Sequence, residues 1–356
     1  MSEAQDAPAP EPEVLVAVEG AVGRLTLNRP KALGALTTTM VAMMTQALLA
    51  WRDDPTVRLI LIDHAGERGF CAGGDIRFLA DSAAEGGEGA RRFFYTEYQL
   101  NHLLMVYPKP VVAIMDGITM GGGVGIALPA RYRIATERTT FAMPETGIGL
   151  FPDVGGGWHL SRLHGAAGAW LALTGARIKA ADCEILGIAT DVLASAHLPD
   201  FKARLIADPE AVETLLTELE ADPGRSAMAE HHDQIDALFG GATLEAIFAA
   251  LAADGSGWAL AQLTTLKTKS PLSMKVALRQ LHLGKAMASF ADNMVMEMRI
   301  GARVVLSHDF TEGVRAVIVD KDNKPAWRPD AIEGVTDAML DAVFAPLAAD
   351  QEWKPL

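Results

Sequence analysis

Val111-Val112-Ala113-Ile114-Met115-Asp116-Gly117, running on through Ile118-Thr119-Met120 into Gly121-Gly122-Gly123-Val124-Gly125, is the stretch on which the fold turns. Val111 to Met115 is a short apolar run bounded by Lys109-Pro110 and Asp116-Gly117, the pattern of a strand buried on both faces. The glycine cluster then opens a helix expected through Ile126 to Ala130. On either side, Arg58 to His64 and Tyr132 to Ala135 are further buried strands, while Thr37 to Trp51 and Arg91 to Val106 carry apolar residues at helical spacing. The threonines at the start of the first helix are candidate caps, Asp53-Asp54-Pro55 closes it, and Ala83 to Gly89 is a flexible approach to the second. Val14 to Leu27 alternates as a hairpin, with Gly20 and Gly23 marking its turn, and Asn28-Arg29-Pro30 ends it. Strands alternating with helices predict an α/β layered fold with crossover connections.

Beyond Trp158 helix signals dominate. Ala166 to Leu173 and Ala180 to Ile185 are helical, 198–266 is a Leu/Ala-rich helical region broken at Pro223-Gly224 and Gly240-Gly241, and Ser270-Pro271 starts another helix. The chain divides into a leader (1–13), a core carrying the site (14–197) and a helical C-terminal region covering that core (198–356).

Composition narrows the functions available. A chain of 356 residues, half of them hydrophobic, can bury a large core. Its net charge of −14 argues against an electrostatic hold on nucleic acid or an anionic membrane. Two cysteines, Cys71 and Cys183, are too few for a disulfide framework and indicate a reducing compartment. The histidines, His231-His232 included, show no metal-ligand spacing, so no metal is expected. The proline-rich, acidic residues 1–13 lack the marks of a signal or transit peptide and are expected to be disordered. No apolar run approaches the roughly twenty residues of a membrane span. The expectation is a cytoplasmic protein.

Three segments carry candidate chemistry. Phe141-Ala-Met-Pro-Glu-Thr-Gly-Ile-Gly-Leu-Phe-Pro-Asp-Val-Gly-Gly-Gly157 sets Glu145 and Asp153 among Met143, Ile148, Leu150 and Phe151. Lost hydration would raise such carboxyl pKa values and fit them for acid, base or nucleophile work; a surface turn facing water is the alternative. Cys71-Ala72-Gly73-Gly74-Asp75 and the Gly121–Gly125 cluster are both strand-to-helix junctions, where unbonded N–H groups face outward. Each alone could serve packing instead. Together, two N–H donors from separate helix starts can converge on one carbonyl oxygen.

Asn28-Arg29-Pro30-Lys31-Ala32, Phe70-Cys71-Ala72-Gly73-Gly74-Asp75-Ile76, Gly117-Ile118-Thr119-Met120-Gly121-Gly122-Gly123 and Met143-Pro144-Glu145-Thr146-Gly147-Ile148-Gly149 resemble, in this order, motifs of the crotonase (enoyl-CoA hydratase/isomerase) superfamily. The likeness runs from Val14 to about Phe344, taking in Thr174-Gly175-Ala176-Arg177 and His308-Asp309-Phe310-Thr311-Glu312-Gly313-Val314-Arg315-Ala316. It implies a ββα spiral core with C-terminal helices over the site, and a possible homo-oligomer.

The resemblance also implies roles. The oxyanion-hole amides fall on Gly74 and Gly122, with Glu145 and Asp153 as the catalytic carboxylates. Glu97 matches a substrate-contacting glutamate that could bond a 3-hydroxyl; its alternative is a solvated helix charge. Ala72, Asp75 and Arg77 join Glu97 as substrate contacts, with Arg29, Lys31 and Lys321 as further candidates for the coenzyme A phosphates. Gly125 stands where hydratases hold a second glutamate, and Asp153 where they hold glycine and the superfamily's hydrolases hold aspartate. These positions imply a thioester hydrolase for a short 3-hydroxyacyl-CoA, 3-hydroxyisobutyryl-CoA foremost, which would serve valine breakdown. CoA enters as part of the substrate and no cofactor is needed. A hydratase or isomerase on another acyl-CoA, or a catalytically silent acyl-CoA binder, are the alternatives.

Overall fold

The computed structural model describes residues 11–356; most of the expected leader lies outside the described residues. Of the remainder, Glu13 is tied down: it pairs with Arg29 and accepts from Thr37 Oγ1 at 2.5 Å.

Two sheets are laid down by paired strands. β1 (Val14–Glu19) and β2 (Val22–Leu27) form an antiparallel hairpin. Then β3 (Leu59–His64), β5 (Val111–Met115) and β7 (Tyr132–Ala135) join the large sheet, while β4 (Gly69–Cys71), β6 (Ile118–Met120) and β8 (Thr140–Ala142) build a three-stranded one. With β9 (Asp191–Val192) the large sheet runs β1-β2-β3-β5-β7-β9, parallel from β2 onward. After the β1–β2 hairpin, the strands follow in consecutive couples, β3 and β4, β5 and β6, β7 and β8, one to each sheet. The short strands of the small sheet, and two-residue β9, carry too few residues for any periodicity to show, which is why only β1, β2, β3, β5 and β7 were legible in advance.

The helices follow their chemistry. α1 (Thr38–Arg52) is capped by Thr37, whose hydroxyl accepts from the Met40 N–H at 3.1 Å. α2 (Ile76–Ala84) and α3 (Glu88–Met105) are joined through Gly86 and Gly87, both at positive φ. α4 (Gly122–Ala127) departs from expectation: it begins inside the glycine cluster, not at Ile126. A Cβ on Gly123 would strike the carbonyl oxygen of Cys71, so glycine lets the first turn of α4 lie against that strand end. The hairpin turn also differs: Gly20 (φ +60) makes it, whereas Gly23 lies within β2, opposite Val18, under the Trp51 ring.

After β8 come α5 (Gly156–Leu160), α6 (Ala167–Thr174) and α7 (Ala180–Ile185), then α8 (Leu198–Ala207), α9 (Val212–Glu218), α10 (His232–Phe239), α11 (Leu244–Asp254), α12 (Gly257–Leu266), α13 (Pro271–Ala286), α14 (Phe290–Val304), α15 (His308–Val314) and α16 (Asp337–Phe344). Ser270 caps α13 through the Ser273 N–H, with Pro271 in the first turn. α8 and α9 cover one face of the large sheet, where Phe201, Leu205 and Leu215 pack with Leu59, Leu61, Val112 and Ile134. The main core fills the other side and reaches α13 and α14. No described helix is long and apolar enough to cross a membrane.

Phe201 is fully buried in the smaller core. Phe201→Ala should lower the unfolding free energy by about 3–5 kcal/mol, checked by the shift of the urea midpoint against wild type.

Candidate active site

Glu145 opens a 3-10 turn, Glu145–Ile148, that leaves β8. Thr146 Oγ1 donates to the Leu173 carbonyl of α6 at 3.2 Å, and the Ser270 N–H donates to the Thr146 carbonyl at 3.0 Å, so the turn is held from two sides. Its carboxyl is 5 % exposed, faces Gly121, and has Oε2 without a partner. Burial drives its pKa well above the usual carboxylate range, and the charge of Asp153 adds to the rise.

Asp153 is equally buried and accepts from the Tyr98 hydroxyl of α3 at 2.9 Å. Burial pushes it up to about 7, against the pull of that hydrogen bond. Beside Tyr98, Glu97 turns inward and is only 2 % exposed, with Oε1 unpartnered; burial and Asp153 both raise its pKa. A solvated helix charge it is not.

The loop that carries Asp153 is built with strain. Val154 sits at φ +53, a conformation that costs a β-branched residue about 1–3 kcal/mol. Glu297 of α14 holds it: the carboxylate accepts from the N–H groups of Gly155 (2.7 Å) and Gly157 (3.0 Å), and from Gln280 (3.0 Å) and Asn293 (2.8 Å). Burial raises Glu297 to about 8, while these donors favour its ionised form. Sequence reasoning missed Glu297, because one glutamate in a helix carries no mark of burial.

The three carboxyls line a cavity of about 490 Å³ together with Ala72, Gly74 and Gly122. The two glycine segments meet there, Gly122 N lying 3.8 Å from where a Cβ on Gly73 would be. Gly122 is the first residue of α4, and neither its N–H nor that of Gly74 donates to another described backbone group. Behind them, a Cβ on Gly125 would meet Val154 and come within 2.7 Å of Asn101 Nδ2, so position 125 has no room for a side chain.

Asp75 and Arg77 stand apart from the cavity lining. Asp75 caps α2 through the Phe78 N–H at 3.4 Å and pairs with Arg29 at 3.5 Å, while Arg77 is exposed on the first turn of α2. Arg29 is occupied by Glu13, Asp75 and the Ala35 carbonyl, and Lys31 and Lys321 are exposed residues outside the lining. The cations that do line the cavity are Arg177 and Lys269. Neither has an acidic partner among the described residues, and burial, helped by Arg177, lowers the Lys269 pKa. The Lys269 ammonium lies 3.4 Å from where Gly147 would carry a Cβ, just past the turn of Glu145. Lys269 had no sequence signal, since its place follows from α13 docking on that turn.

Residues 22–344 match the family model for enoyl-CoA hydratase/isomerase. The 3-hydroxyisobutyryl-CoA hydrolase of Xenopus tropicalis is 44 % identical over 94 % of this chain and 89 % of its own length; that of Homo sapiens is 43 % identical over 95 % and 89 %. Among solved structures, a carnitinyl-CoA dehydratase from Mycobacterium thermoresistibile superposes with a TM-score of 0.91 at 42 % identity, covering 95 % of this chain and 97 % of that one. An enoyl-CoA hydratase from Rhodobacter sphaeroides gives 0.89 at 38 %, covering 96 % and 99 %. The hydrolase relatives are named as mitochondrial proteins, which overturns the cytoplasmic expectation: the acidic character of residues 1–13 was no measure of compartment. By sequence over most of its length and by the paired-strand spiral of its core, the chain belongs to the enoyl-CoA hydratase/isomerase family.

Proposed function

We propose that this chain hydrolyses the thioester of 3-hydroxyisobutyryl-CoA to the free acid and coenzyme A. The observation that carries the proposal is the pair of buried carboxyls, Glu145 and Asp153, on one cavity with two free amides, while Gly125 leaves no space for a second hydratase glutamate. The hydrolase names of the relatives agree with it, and the hydratase names of the structural neighbours are accounted for by a shared fold, which does not by itself set the reaction.

In this mechanism the thioester oxygen accepts from the Gly74 and Gly122 N–H groups, which hold the charge that develops as the carbonyl becomes tetrahedral. Glu145, ionised, either adds to the carbonyl carbon, expelling the thiolate to leave a mixed anhydride that water then opens, or takes a proton from the water that adds. Asp153 hands a proton to the departing sulfur and orients the water. Burial and the charge of Asp153 favour the protonated form of Glu97, which can both donate to and accept from a 3-hydroxyl. The phosphates of coenzyme A meet Arg177 and Lys269 at the cavity, a local positive site in an acidic protein.

Thiol release from 3-hydroxyisobutyryl-CoA should fall by about 10²–10⁴ in Glu145→Gln and in Asp153→Asn. Absorbance change with crotonyl-CoA and no thiol release would instead establish a hydratase. After a single turnover in ¹⁸O-water, label in Glu145 would establish the anhydride route, with water opening the anhydride at the Glu145 carboxyl carbon.

The pH profile carries a sign. Asp153 hands its proton to sulfur and ionises near 7, so activity that needs its acid form falls as pH rises through that value. Tyr98→Phe removes a donor to the ionised form, raises the Asp153 pKa further, and should move the basic limb of kcat/KM to higher pH.

Lys269→Met should raise KM for the CoA thioester about tenfold with kcat little changed, and leave the N-acetylcysteamine thioester unaffected. An equal loss on both substrates would show that Lys269 acts elsewhere.

A further inference from the structure

Away from the cavity, one group of side chains has no part in the chemistry above. His232 and Asp236 stand four residues apart on α10 and face the same way. The loop between α5 and α6 brings His164 to them: the rings of His164 and His232 lie 5.4 Å apart between centroids. One donor atom from each of the three residues lies within 4.8 Å of the others, the only such grouping among the described residues.

Asp236 is set in place before any ligand arrives. The Ala166 N–H donates to its Oδ1 at 2.7 Å, which fixes the carboxylate and leaves Oδ2 open. Gly165, at φ +58, lies so close that any Cβ there would collide with the same carboxylate. No described lysine or arginine pairs with Asp236. The neighbouring His231 is otherwise engaged, stacked on Trp258 at 4.9 Å with Nδ1 2.9 Å from Gln234 Oε1.

We propose that His164, His232 and Asp236 bind one divalent transition-metal ion of the zinc class. Two imidazoles and one carboxylate suit zinc, nickel or copper and disfavour magnesium and calcium, which want oxygen ligands throughout. Zinc bonds of about 2.0–2.2 Å draw the donors closer than they now stand, and His164, exposed, is free to close on the other two. Three protein ligands leave a fourth position to water. None of the three residues lines the catalytic cavity, so the ion is structural. It joins α10 to the start of α6, the helix whose far end accepts from Thr146 beside Glu145.

The test uses the full chain stripped of metal, titrated with zinc chloride by calorimetry and in thermal melts, with magnesium chloride as control. Wild type should bind one zinc per chain and gain about 4 °C in Tm at a hundredfold excess over Kd, with magnesium giving neither. His164→Gln, His232→Gln and Asp236→Asn should each weaken zinc binding at least about tenfold. Their melting temperatures without metal show whether the fold is intact. Should Asp236→Asn lower that value, His164→Gln, changed at an exposed side chain, decides. Absence of stoichiometric zinc binding overturns the proposal, as does binding that persists unchanged in His164→Gln and His232→Gln, which would place the ion on other histidines.

Discussion

The carboxylate of Glu297, buried and receiving four N–H donors, is the interaction on which the rest of the site depends. Two donors belong to the strained loop after Asp153 and two to the C-terminal helices α13 and α14. A buried carboxyl with fewer partners would be costly, so the loop and the helices meet where their donors can all reach it. That requirement holds Val154 at a positive φ and aims Asp153 at Tyr98. The C-terminal half is therefore a structural element of the active site as well as a cover for it.

Packed among the C-terminal helices, the carboxyls of the cavity change character. Glu97, Asp153 and Glu145 are all raised by desolvation, and the charge of Asp153 lifts the other two. Neighbouring acids that cannot all ionise divide the labour of holding and releasing protons near neutrality. The Tyr98 hydroxyl opposes the rise at Asp153, the one of the three that receives a side-chain donor. Against this acid lining, Arg177 and Lys269 supply the opposite charge at the same cavity.

The two glycine segments show how one backbone serves different reactions within the family. Gly123 must be glycine for α4 to approach Cys71, and Gly122 then offers its amide to the cavity. Position 125, one turn into the same helix, is closed by Val154 and Asn101. With that position closed, Glu145, Asp153 and Glu97 are the acids that face the cavity.

The sequence was enough for β1, β2, β3, β5 and β7, for α1 with its threonine cap, for α6 and α7, and for the motifs around Gly74, Gly122 and Glu145, since each rests on local periodicity, a cap or a backbone need that a residue type announces. It placed the start of α4 too late and Gly23 in a turn, because the reasons for those glycines are the Cys71 carbonyl and the Trp51 ring, both distant in sequence. It named Arg29, Asp75 and Arg77 as candidate ligand contacts; in the fold the first two pair with each other and all three lie outside the cavity lining. By itself, then, the sequence determined which segments form strands and helices and which residue types stand ready for chemistry, because those depend on neighbours along the chain. Only the tertiary structure decided which charges are buried and which side chains share the cavity: desolvation and partnership, as at Glu297 and Lys269, belong to residues brought together from far apart.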